Sequence, residues 1–580
     1  MFIEKSWGKL DQGFSIIGTY KKIKVLKIIA ESAFNHNGDL DYLIALSNAA
    51  KESGTDYFTV QIMDVSSFCV REYSKYDIYI ENTFTFSQWN QLIDHCNSIE
   101  LELIPCVLDI KSLDYCIGKG FQLIKIHATD ITNKPLLDKI VQSKDLKILL
   151  ETQCATHFEI EYAVSILKEK IHCIIHGFSN YPTEVEDLNL NALDYIKTYF
   201  PNYSIGLADH SLDVMEIPLM AMAKGCEYLE KHITLSRNNR NFDWQVSLYP
   251  NEFAAMVNTI RHYKKSLGLF TKHPTKTELG YRSIMYKKVI DNQEDELKRA
   301  DKGQDYIEHK ISTFDLNNVG VALISRLKSK RLPFKVIKPF HDTILIDYLY
   351  KRLNLSKKTS KVFLATSYLD QDKELYDLGI EKGFNCYKGH PESVIDRMLS
   401  LAFQEGFGAI FRVTGDNPFT DPGLMDEMIE LLVSNDLDYV RVNNVPFGVS
   451  GELFSTRYLW KLYLEMDNPM NSEYLTLFVL NDENARKGCI DIESEINDLR
   501  FVNLSVDYQE DLERAYSLLD KLSEDPYTFK FGDILEKLDE LDREDKDKVI
   551  KLPEGEQIDF STFLDRLANQ NYTIRKKITY

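Results

Sequence analysis

Apolar and polar positions between residues 25 and 268 follow one repeating pattern. Short runs rich in Val, Ile and Leu alternate with longer stretches in which apolar residues recur every three or four positions. The first kind of run is typical of buried parallel strands and the second of amphipathic helices. The eight apolar runs are VLKIIAES, DYFTVQIM, LELIPCVLD, FQLIKIHAT, LKILLETQ, HCIIHGFS, YSIGLADH and EYLEKHIT. Eight βα units in roughly 250 residues predict a TIM barrel, an α/β fold with its active site at the carboxyl ends of the strands.

A second α/β pattern begins near residue 319, where VGVALI indicates a strand. This strand runs into a loop with the densest basic cluster of the chain, which consists of Arg326, Lys328, Ser329, Lys330, Arg331 and Lys335. The loop lacks the glycines and the GK[ST] ending of a Walker A motif. Its cations can still neutralise a triphosphate as pyrophosphate leaves. On charge alone, a solvated surface loop is an equal alternative.

Two later apolar runs, in KVFLATSYLDQDKEL and AIFRVTGDNPFTDP, end in small polar residues and an aspartate. A carboxylate at the carboxyl edge of a parallel sheet can hold Mg²⁺ against phosphates. An aspartate in a GDNP turn can also serve the turn alone. Together with the basic loop, Asp416 favours a Rossmann-like, nucleotide-binding second half.

Two of the predicted barrel strands end at a histidine. His210 closes YSIGLADH and His232 lies in EYLEKHIT, with Asp209 beside the first and Glu230 near the second. The seventh and eighth strands are neighbours in a barrel, so both imidazoles can point into one mouth. Two histidines with a carboxylate and open positions suit a catalytic metal. Hydrogen-bonded structural histidines are the alternative.

Composition narrows the possible partners. A chain of 580 residues and 67.3 kDa is long enough for two domains. A formal net charge of -20 argues against a nucleic-acid or anionic-membrane surface. The nine cysteines are scattered without a CxxC pair, so neither a disulfide framework nor a zinc ribbon fits. The start MFIEKSWGKLDQGF has no apolar signal-like run and no stretch is long enough to span a bilayer, so we expect a cytoplasmic protein.

Five ordered stretches of the first half resemble the sialic acid synthase family: IIAESAFNHNGD, KIHATDITNKPLL, SNYPTEVEDLNLNAL, GLADHS and EKHITLSRNNRNFDWQVSL. The resemblance covers roughly residues 25–290. It implies condensation of phosphoenolpyruvate with an N-acylmannosamine-type sugar on a divalent metal such as Mn²⁺ or Mg²⁺. It also implies roles for individual residues: His210 and His232 bind the metal, Lys125 faces the phosphate, Glu31, Gln61, Tyr181 and Asp243 face the sugar or the reacting carbon, and Glu31 and Tyr181 are catalytic.

The sequence departs from this family at the phosphate site. Thr59 stands where the family has Lys, Cys106 where it has Thr, and Ala128, Glu151 and Ala208 where it has small hydroxyl or amide donors. Glu151 would place a like charge against the phosphate, at a cost of about 1 to 4 kcal/mol. Three interpretations stay open: a synthase with a rearranged phosphate site, a metal-dependent barrel with another substrate, and a scaffold for binding or dimerisation.

The charged stretch DNQEDELKRADKGQDYIEHK follows residue 290 and separates the two patterns. Members of the resembled family often carry a small C-terminal domain that supplies an arginine to the sugar site of a partner subunit. We expect that domain to be absent or reduced here. The predicted organisation is a barrel over 1–290, a linker over 291–318, a nucleotidyltransferase domain over 319–525 and a charged, helical tail over 526–580.

Six ordered stretches of the second half resemble the cytidylyltransferase family of the spore-coat polysaccharide and CMP-keto-deoxy-sugar type: SRLKSKRLPFK, LATS, YKGHPESVIDR, FRVTGDNPFTDP, PFGVSGELFS and LSVDYQEDLERA. The resemblance implies transfer from CTP with Mg²⁺. The residues implied are Arg326, Ser329, Arg331 and Lys335 for the triphosphate, Asp416 and Asp507 for Mg²⁺, Glu452 near the acceptor, and Arg331 and Asp416 for catalysis. One departure is Phe334, where the family usually has Gly.

The two resemblances together predict a bifunctional enzyme of surface-glycan biosynthesis. One half would make a keto-deoxy sugar acid from phosphoenolpyruvate and the other would activate such an acid with CTP. The alternative is a barrel that has lost phosphoenolpyruvate and performs another metal-dependent reaction or serves as a scaffold. The expected partners are these small molecules and further copies of the chain, with no nucleic acid and no membrane.

Overall fold

The computed structural model of the chain describes residues 26–269, 271–290, 293–329, 331–496, 498–522, 525–538, 549–551 and 557–580. The chain divides after Gly268 into two compact units. The start MFIEKSWGKLDQGF and Lys330 of the basic loop lie outside the described residues. Among the helices that are described, none is long and apolar enough to cross a membrane.

The first unit is a closed barrel of eight parallel strands that follow one another in chain order, which confirms the predicted TIM barrel. Its strands are β1 Lys27–Glu31, β2 Tyr57–Ile62, β3 Glu102–Val107, β4 Leu123–Ile126, β5 Lys147–Glu151, β6 Ile171–Gly177, β7 Ser204–Asp209 and β8 Tyr228–His232. Its helices are α1 Leu40–Glu52, α2 Val65–Phe68, α3 Tyr76–Glu81, α4 Phe86–Ser98, α5 Ile110–Gly118, α6 Lys134–Gln142, α7 His157–Leu167, α8 Asn191–Tyr199, α9 Glu216–Ala223 and α10 Pro250–Tyr263.

Side-chain alternation along the strands positions the barrel site. Ile29, Ile104, Leu149 and Ile175 point inward and form the buried interior of the barrel. Because successive strand residues face opposite sides, the residues two places further along each strand also point inward, at the mouth. On the outside, the strands pack against helices such as α4 and α7, which begin with capping boxes at Thr85 and Thr156.

The second unit is built on a mixed sheet of eight strands in the order β15-β14-β11-β16-β18-β17-β19-β22, and it confirms the predicted Rossmann-like half. The strands of this unit are β9 Lys288–Ile290, β10 Gln293–Lys298, β11 Val319–Ile324, β12 Pro339–Phe340, β13 Thr343–Ile344, β14 Lys361–Ser367, β15 Asn385–Gly389, β16 Ala409–Thr414, β17 Tyr439–Asn443, β18 Glu452–Ser455, β19 Lys487–Glu493, β20 Val549–Lys551, β21 Gln557–Asp559 and β22 Ile574–Thr579. Its helices are α11 Lys276–Met285, α12 Tyr306–Ser312, α13 Leu345–Leu353, α14 Lys373–Glu381, α15 Val394–Glu405, α16 Pro422–Ser434, α17 Thr456–Glu465, α18 Leu475–Asn481, α19 Gln509–Lys521, α20 Phe531–Lys537 and α21 Phe560–Ala568.

Strand β18 is the antiparallel member of this sheet, pairing with β16 on one side and β17 on the other. The remaining pairs are parallel, so β11, β14, β16, β17 and β19 end at the same edge. Each face of the sheet carries its own apolar core, with Val321 and Leu323 on one side and Ala322 and Ile410 on the other.

The observed units differ from the predicted boundaries. The segment assigned to the end of the barrel and the linker holds α11, α12 and a hairpin of β9 with β10. It belongs to the second unit because it bonds there: the His273 ring nitrogen Nε2 lies 2.8 Å from the Met466 carbonyl oxygen, and Lys276 forms an ion pair with Asp467. These contacts join residues that are distant in sequence, so the charged composition of the segment did not predict them.

The predicted tail also carries more structure than a charged helix. Strand β22 extends the main sheet by pairing in parallel with β19. The pairing brings the Arg575 guanidinium to 2.7 Å from the Asp491 carboxylate. The end of the chain therefore completes the sheet of the nucleotidyltransferase unit.

Close packing at Gly320 on β11 yields a stability prediction. A Cβ at Gly320 would lie 2.1 Å from the Phe407 ring, a rigid neighbour. Gly320→Ala is expected to lower the free energy of unfolding by about 1 to 3 kcal/mol through overpacking. Gly280→Ala is the matched control, since no atom lies within 4 Å of its Cβ and alanine favours the helix α11. Urea unfolding checks both; equal midpoints would contradict the packing described for β11.

Candidate active sites

The residues predicted for the barrel site lie at or just beyond the carboxyl ends of its strands. Glu31, Lys125 and His232 are on β1, β4 and β8, and His210 directly follows β7. Gln61 is on β2, Tyr181 follows β6, and Asp243 lies in the loop after β8. These positions converge at the mouth, as the strand ends predicted.

Lys125 is the centre of this site. Its Nζ lies 2.5 Å from Glu31 Oε2, 2.8 Å from Glu230 Oε2 and 3.1 Å from Glu151 Oε1. All four side chains are at most 3 % exposed. One buried ammonium therefore contacts three buried carboxyl groups.

The carboxyl groups of this cluster differ in their pKa values. Burial raises the pKa of Glu31 and raises that of Glu230 well above the ordinary value. Burial also acts to raise the pKa of Glu151, but Lys125, His127 and His210 together outweigh it and the pKa of Glu151 is lowered. The pKa of Lys125 lies well above its usual value because the attraction of the carboxylates exceeds the effect of burial. Glu151 is therefore the carboxyl group that stays ionised most readily beside the ammonium.

At the other departures from the family, three of the four side chains offer no strong hydrogen-bond donor, and the fourth is Thr59. Ala128, Ala208 and Cys106 are buried. The Thr59 hydroxyl is buried and makes no hydrogen bond with the described residues. The polar groups in direct contact with Lys125 Nζ are thus the carboxyl groups of Glu31, Glu151 and Glu230.

The two predicted metal-binding histidines are brought together, with ring centroids 5.1 Å apart. Burial lowers the pKa of His210, and it lowers that of His232 well below the ordinary value, so both rings are held neutral. Nδ1 of His210 donates to the Phe178 carbonyl oxygen at 2.8 Å, which leaves Nε2 as an acceptor. His232 Nδ1 is buried and has no hydrogen-bond partner in the described part of the chain. Neutral imidazoles with free lone pairs fit a divalent metal.

The carboxylates proposed beside the histidines do not complete that site. Asp209 faces out of the barrel, where its Oδ2 accepts from Lys231 Nζ at 2.7 Å. Glu230 points inward but is bound to Lys125. Within the described ranges, no group of three or more His, Cys, Asp or Glu side chains is arranged to hold a metal ion. Asp209 lies apart from the histidine pair because neighbouring strand positions face opposite sides.

A cavity of about 520 Å³ opens at the barrel mouth. Tyr181, Asp243, Asn82, Asn241 and Trp244 are among its lining residues. The Tyr181 ring packs against His210 at 4.5 Å between centroids, and Asp243 Oδ2 lies 3.9 Å from His232 Nδ1. Burial raises the pKa of Asp243 to about 6. The mouth thus joins the histidine pair to an amide-rich, aromatic cavity.

In the second unit, the basic loop begins beside the end of β16. Ile324 pairs with Thr414, and the Gly415 amide donates to the Ile324 carbonyl. The Thr414 hydroxyl then donates to Asp416 Oδ1 at 2.6 Å. A backbone bond from the Val506 amide to the Asp416 carbonyl brings the following residue, Asp507, to the same place.

Lys335 joins the two predicted magnesium ligands. Its Nζ lies 2.5 Å from Asp416 Oδ2 and 2.9 Å from Asp507 Oδ1. Arg331 Nη2 lies 2.7 Å from the same Asp507 oxygen. Two carboxylates converging on one cation provide the oxygen donors that Mg²⁺ prefers. The Lys335 side chain is 12 % exposed and the Arg331 side chain 54 %, so this cluster is partly buried and reaches solvent through Arg331.

Two other loop residues have different partners. Arg326 Nη1 donates to the Pro391 carbonyl at 2.7 Å and to Glu392 at 3.0 Å. The Ser329 hydroxyl accepts from the Leu332 amide at 3.3 Å within the loop. Phe334, the departure from glycine, has φ of 56°, a left-handed conformation that favours glycine. Its ring is exposed rather than packed into the loop.

Glu452 lies in a polar pocket on the sheet. Its Oε1 accepts from the Tyr439 hydroxyl at 2.6 Å and from the Thr476 hydroxyl at 2.5 Å. Arg412 Nη1 lies 3.4 Å from its Oε2. The sequence reasoning missed these neighbours, although Arg412 stands in the FRVTGDNPFTDP stretch as a charged residue in an apolar strand.

Comparison with known proteins follows the division into two units. The NeuB family model matches residues 48–272 and the Cytidylyltransferase model matches residues 321–560. The uncharacterized protein MJ1065 of Methanocaldococcus jannaschii is 33 % identical over 45 % of this chain and 80 % of its own length. The N,N'-diacetyllegionaminic acid synthase of Legionella pneumophila is 28 % identical over 47 % of this chain and 84 % of its own. The spore coat polysaccharide biosynthesis protein SpsF of Bacillus subtilis is 30 % identical over 36 % of this chain and 90 % of its own.

The barrel and the nucleotidyltransferase sheet, each with its site at the carboxyl ends of the strands, define a two-domain enzyme of the transferase class. The chain belongs to the NeuB family over its first half and to the cytidylyltransferase family over its second.

The Lys125 cluster yields a prediction for stability. Lys125→Met removes the counter-charge of three buried carboxyl groups and is expected to lower the free energy of unfolding by about 3 to 5 kcal/mol. Lys139→Met, which breaks the exposed 2.6 Å pair with Asp114, is the control and is expected to cost about 1 kcal/mol or less. Chemical denaturation of both variants checks this. A loss for Lys125→Met no larger than that of the control would contradict the role of the ammonium.

Proposed function

We propose that the second unit transfers the cytidylyl group of CTP to a sugar acid or a related acid. An acceptor oxygen attacks the α-phosphorus, the bond to the β-phosphate bridging oxygen breaks, pyrophosphate leaves, and the acceptor proton passes to solvent. The observation that carries this proposal is the meeting of Lys335 and Arg331 with Asp416 and Asp507 at the sheet edge.

Each part of that site has a role in the proposal. Asp416 and Asp507 hold Mg²⁺, which neutralises phosphate charge when it is bound. Lys335 and Arg331 turn from the carboxylates to the triphosphate, joined by Arg326 and Ser329 of the same loop. Because phosphoryl transfer depends on positioning and charge neutralisation, no protein nucleophile is required.

For the barrel, we propose a metal-dependent site that no longer accepts phosphoenolpyruvate. The supporting observation is the Glu151 carboxylate, 3.1 Å from the lysine that the family resemblance assigns to phosphate. An incoming phosphate would meet like charge, and Ala128 and Ala208 offer it no side-chain donors. His210 and His232 would hold a divalent metal, which would polarise a bound oxygen group.

The mouth retains the groups expected to face a sugar. Glu31, Gln61, Tyr181 and Asp243 remain, and the cavity adds asparagine amides and Trp244. We therefore propose a polyhydroxylated substrate without a phosphate, handled in the same surface-glycan pathway as the CTP-dependent step. The reported relatives, a legionaminic acid synthase and a spore coat polysaccharide protein, support this placement. Cytoplasmic location and assembly into a homo-oligomer stay predictions.

The cytidylyl transfer is tested with CTP, Mg²⁺ and a panel of keto-deoxy acids, by assaying pyrophosphate. Wild type is expected to release pyrophosphate with at least one acid. Asp416→Asn should lower kcat/KM by at least about 100-fold because it removes a ligand of the metal that stabilises the transferring phosphate. Asp377→Asn, at an exposed aspartate on α14, is the matched control. Absence of pyrophosphate with every acid would refute the proposed transfer.

The phosphate site of the barrel is tested by calorimetric titration with phosphoenolpyruvate. Wild type is expected to bind it at least about tenfold more weakly than Glu151→Ser, which removes the like charge beside Lys125. Glu161→Ser, at an exposed position on α7, should bind as weakly as wild type. Equal binding by wild type and Glu151→Ser would show that Glu151 does not block the site.

A further inference from the structure

A row of charged residues crosses three neighbouring strands of the second unit. Arg412 on β16 pairs with Glu452 on β18. On the other side of β18, Tyr439 pairs with Phe454 and Val440 with Leu453, so the same register places Arg441 of β17 opposite Glu452. Cross-strand neighbours point to the same face of a sheet. Glu452 is therefore flanked by two arginines.

The carboxylate of Glu452 is already satisfied by other groups. Tyr439 and Thr476 donate to one oxygen, and Arg412 lies 3.4 Å from the other. Within the described part of the chain, Arg441 forms no ion pair with it or with any other carboxylate. Glu452 therefore acts on the Arg441 charge from a distance, without a direct ion pair between them in the described residues.

Arg441 has hydrogen-bond donors that the described residues do not use. Its guanidinium is hydrogen-bonded to the Tyr572 hydroxyl. Its Nη1 is buried and has no hydrogen-bond partner among the residues that the structure describes. Arg441 is half-buried, and a ligand carboxylate would give its unused donors both hydrogen bonds and a direct counter-charge. Nothing in the proposed handling of the triphosphate uses this group.

The position of the row connects it to the transfer site. Thr414, two residues after Arg412 on β16, faces the same side of the sheet and donates to Asp416. Two residues of strand cover about 7 Å, and the two strand spacings from β16 to β17 cover about 10 Å. A sugar acid is of comparable length, so one acceptor can reach both Asp416 and Arg441.

We propose that Arg441 binds a carboxylate of the acceptor and so selects an acid for cytidylyl transfer. The inference rests on the proposed function of the second unit. A guanidinium offers two parallel N–H donors that match the two oxygens of a carboxylate. Glu452 and Tyr439 then hold the polar body of the acceptor beside it. An uncharged analogue would leave the half-buried Arg441 without this direct ion pair.

The test compares an acid with its methyl ester in the pyrophosphate assay, with N-acetylneuraminate as the first probe and the best acid of the panel as the second. Wild type is expected to prefer the acid over the ester by at least about tenfold in kcat/KM. Arg441→Met should raise KM for the acid by about 10- to 100-fold, abolish the preference for the acid, and leave KM for CTP within twofold. Arg441→Lys should recover part of the preference.

Arg457→Met is the matched control, because Arg457 forms an exposed pair with Asp436 in the same unit. It should keep the acid preference of wild type, and thermal unfolding of each variant verifies its fold. Turnover in which Arg441→Met keeps the preference overturns the role of Arg441 and leaves the transfer standing. A wild type that releases no pyrophosphate overturns the proposed function itself. If Arg441→Met loses CTP binding together with acid binding, Arg441 has a structural role, and this result also overturns the proposal.

Discussion

The contact of Lys125 with Glu31, Glu151 and Glu230 is the constraint on which the barrel site depends. A single buried ammonium cannot neutralise three ionised carboxylates without a large cost, so the pKa values of Glu31 and Glu230 rise while that of Glu151 falls. The cluster thereby carries its own anion. A phosphate that binds Lys125 would have to displace the Glu151 carboxylate, whose Oε1 lies 3.1 Å from the Lys125 Nζ. The protein chain itself holds that carboxylate in place.

The second unit also has a lysine that contacts several carboxylates, but this lysine is partly exposed. Lys335 also joins carboxylates, Asp416 and Asp507, but it is on a loop and partly exposed. Solvent and ligands can therefore compete for its partners, and a metal can take the carboxylates while the lysine turns to phosphate. Burial separates the two cases: the fully buried Lys125 stabilises a fixed charge arrangement, while the partly exposed Lys335 can exchange partners during a reaction.

The alternation of short apolar runs with amphipathic stretches was sufficient to predict the barrel, because eight successive strand-helix units commonly close into a TIM barrel. The residues of the barrel mouth could also be predicted, because the carboxyl ends of the strands converge there. Glu151 could be recognised as a departure, but its pairing with Lys125 required three dimensions. Side-chain alternation excludes Asp209 from the histidine pair, a step that sequence proximity alone obscured. The hairpin of β9 with β10, the edge strand β22 and the position of Arg441 depend on contacts distant in sequence, which composition does not report.

The functions proposed for the two halves treat phosphate in opposite ways: the barrel would exclude it, and the second unit would position it for attack. One measurement tests this most directly, a ³¹P NMR time course of the protein with phosphoenolpyruvate, CTP, Mg²⁺, Mn²⁺ at trace level, an N-acyl sugar and a keto-deoxy acid together. The account predicts that the CTP signals give way to a CMP ester and pyrophosphate while the phosphoenolpyruvate signal persists. Loss of the phosphoenolpyruvate signal with release of inorganic phosphate, in a reaction that requires the N-acyl sugar, would contradict it.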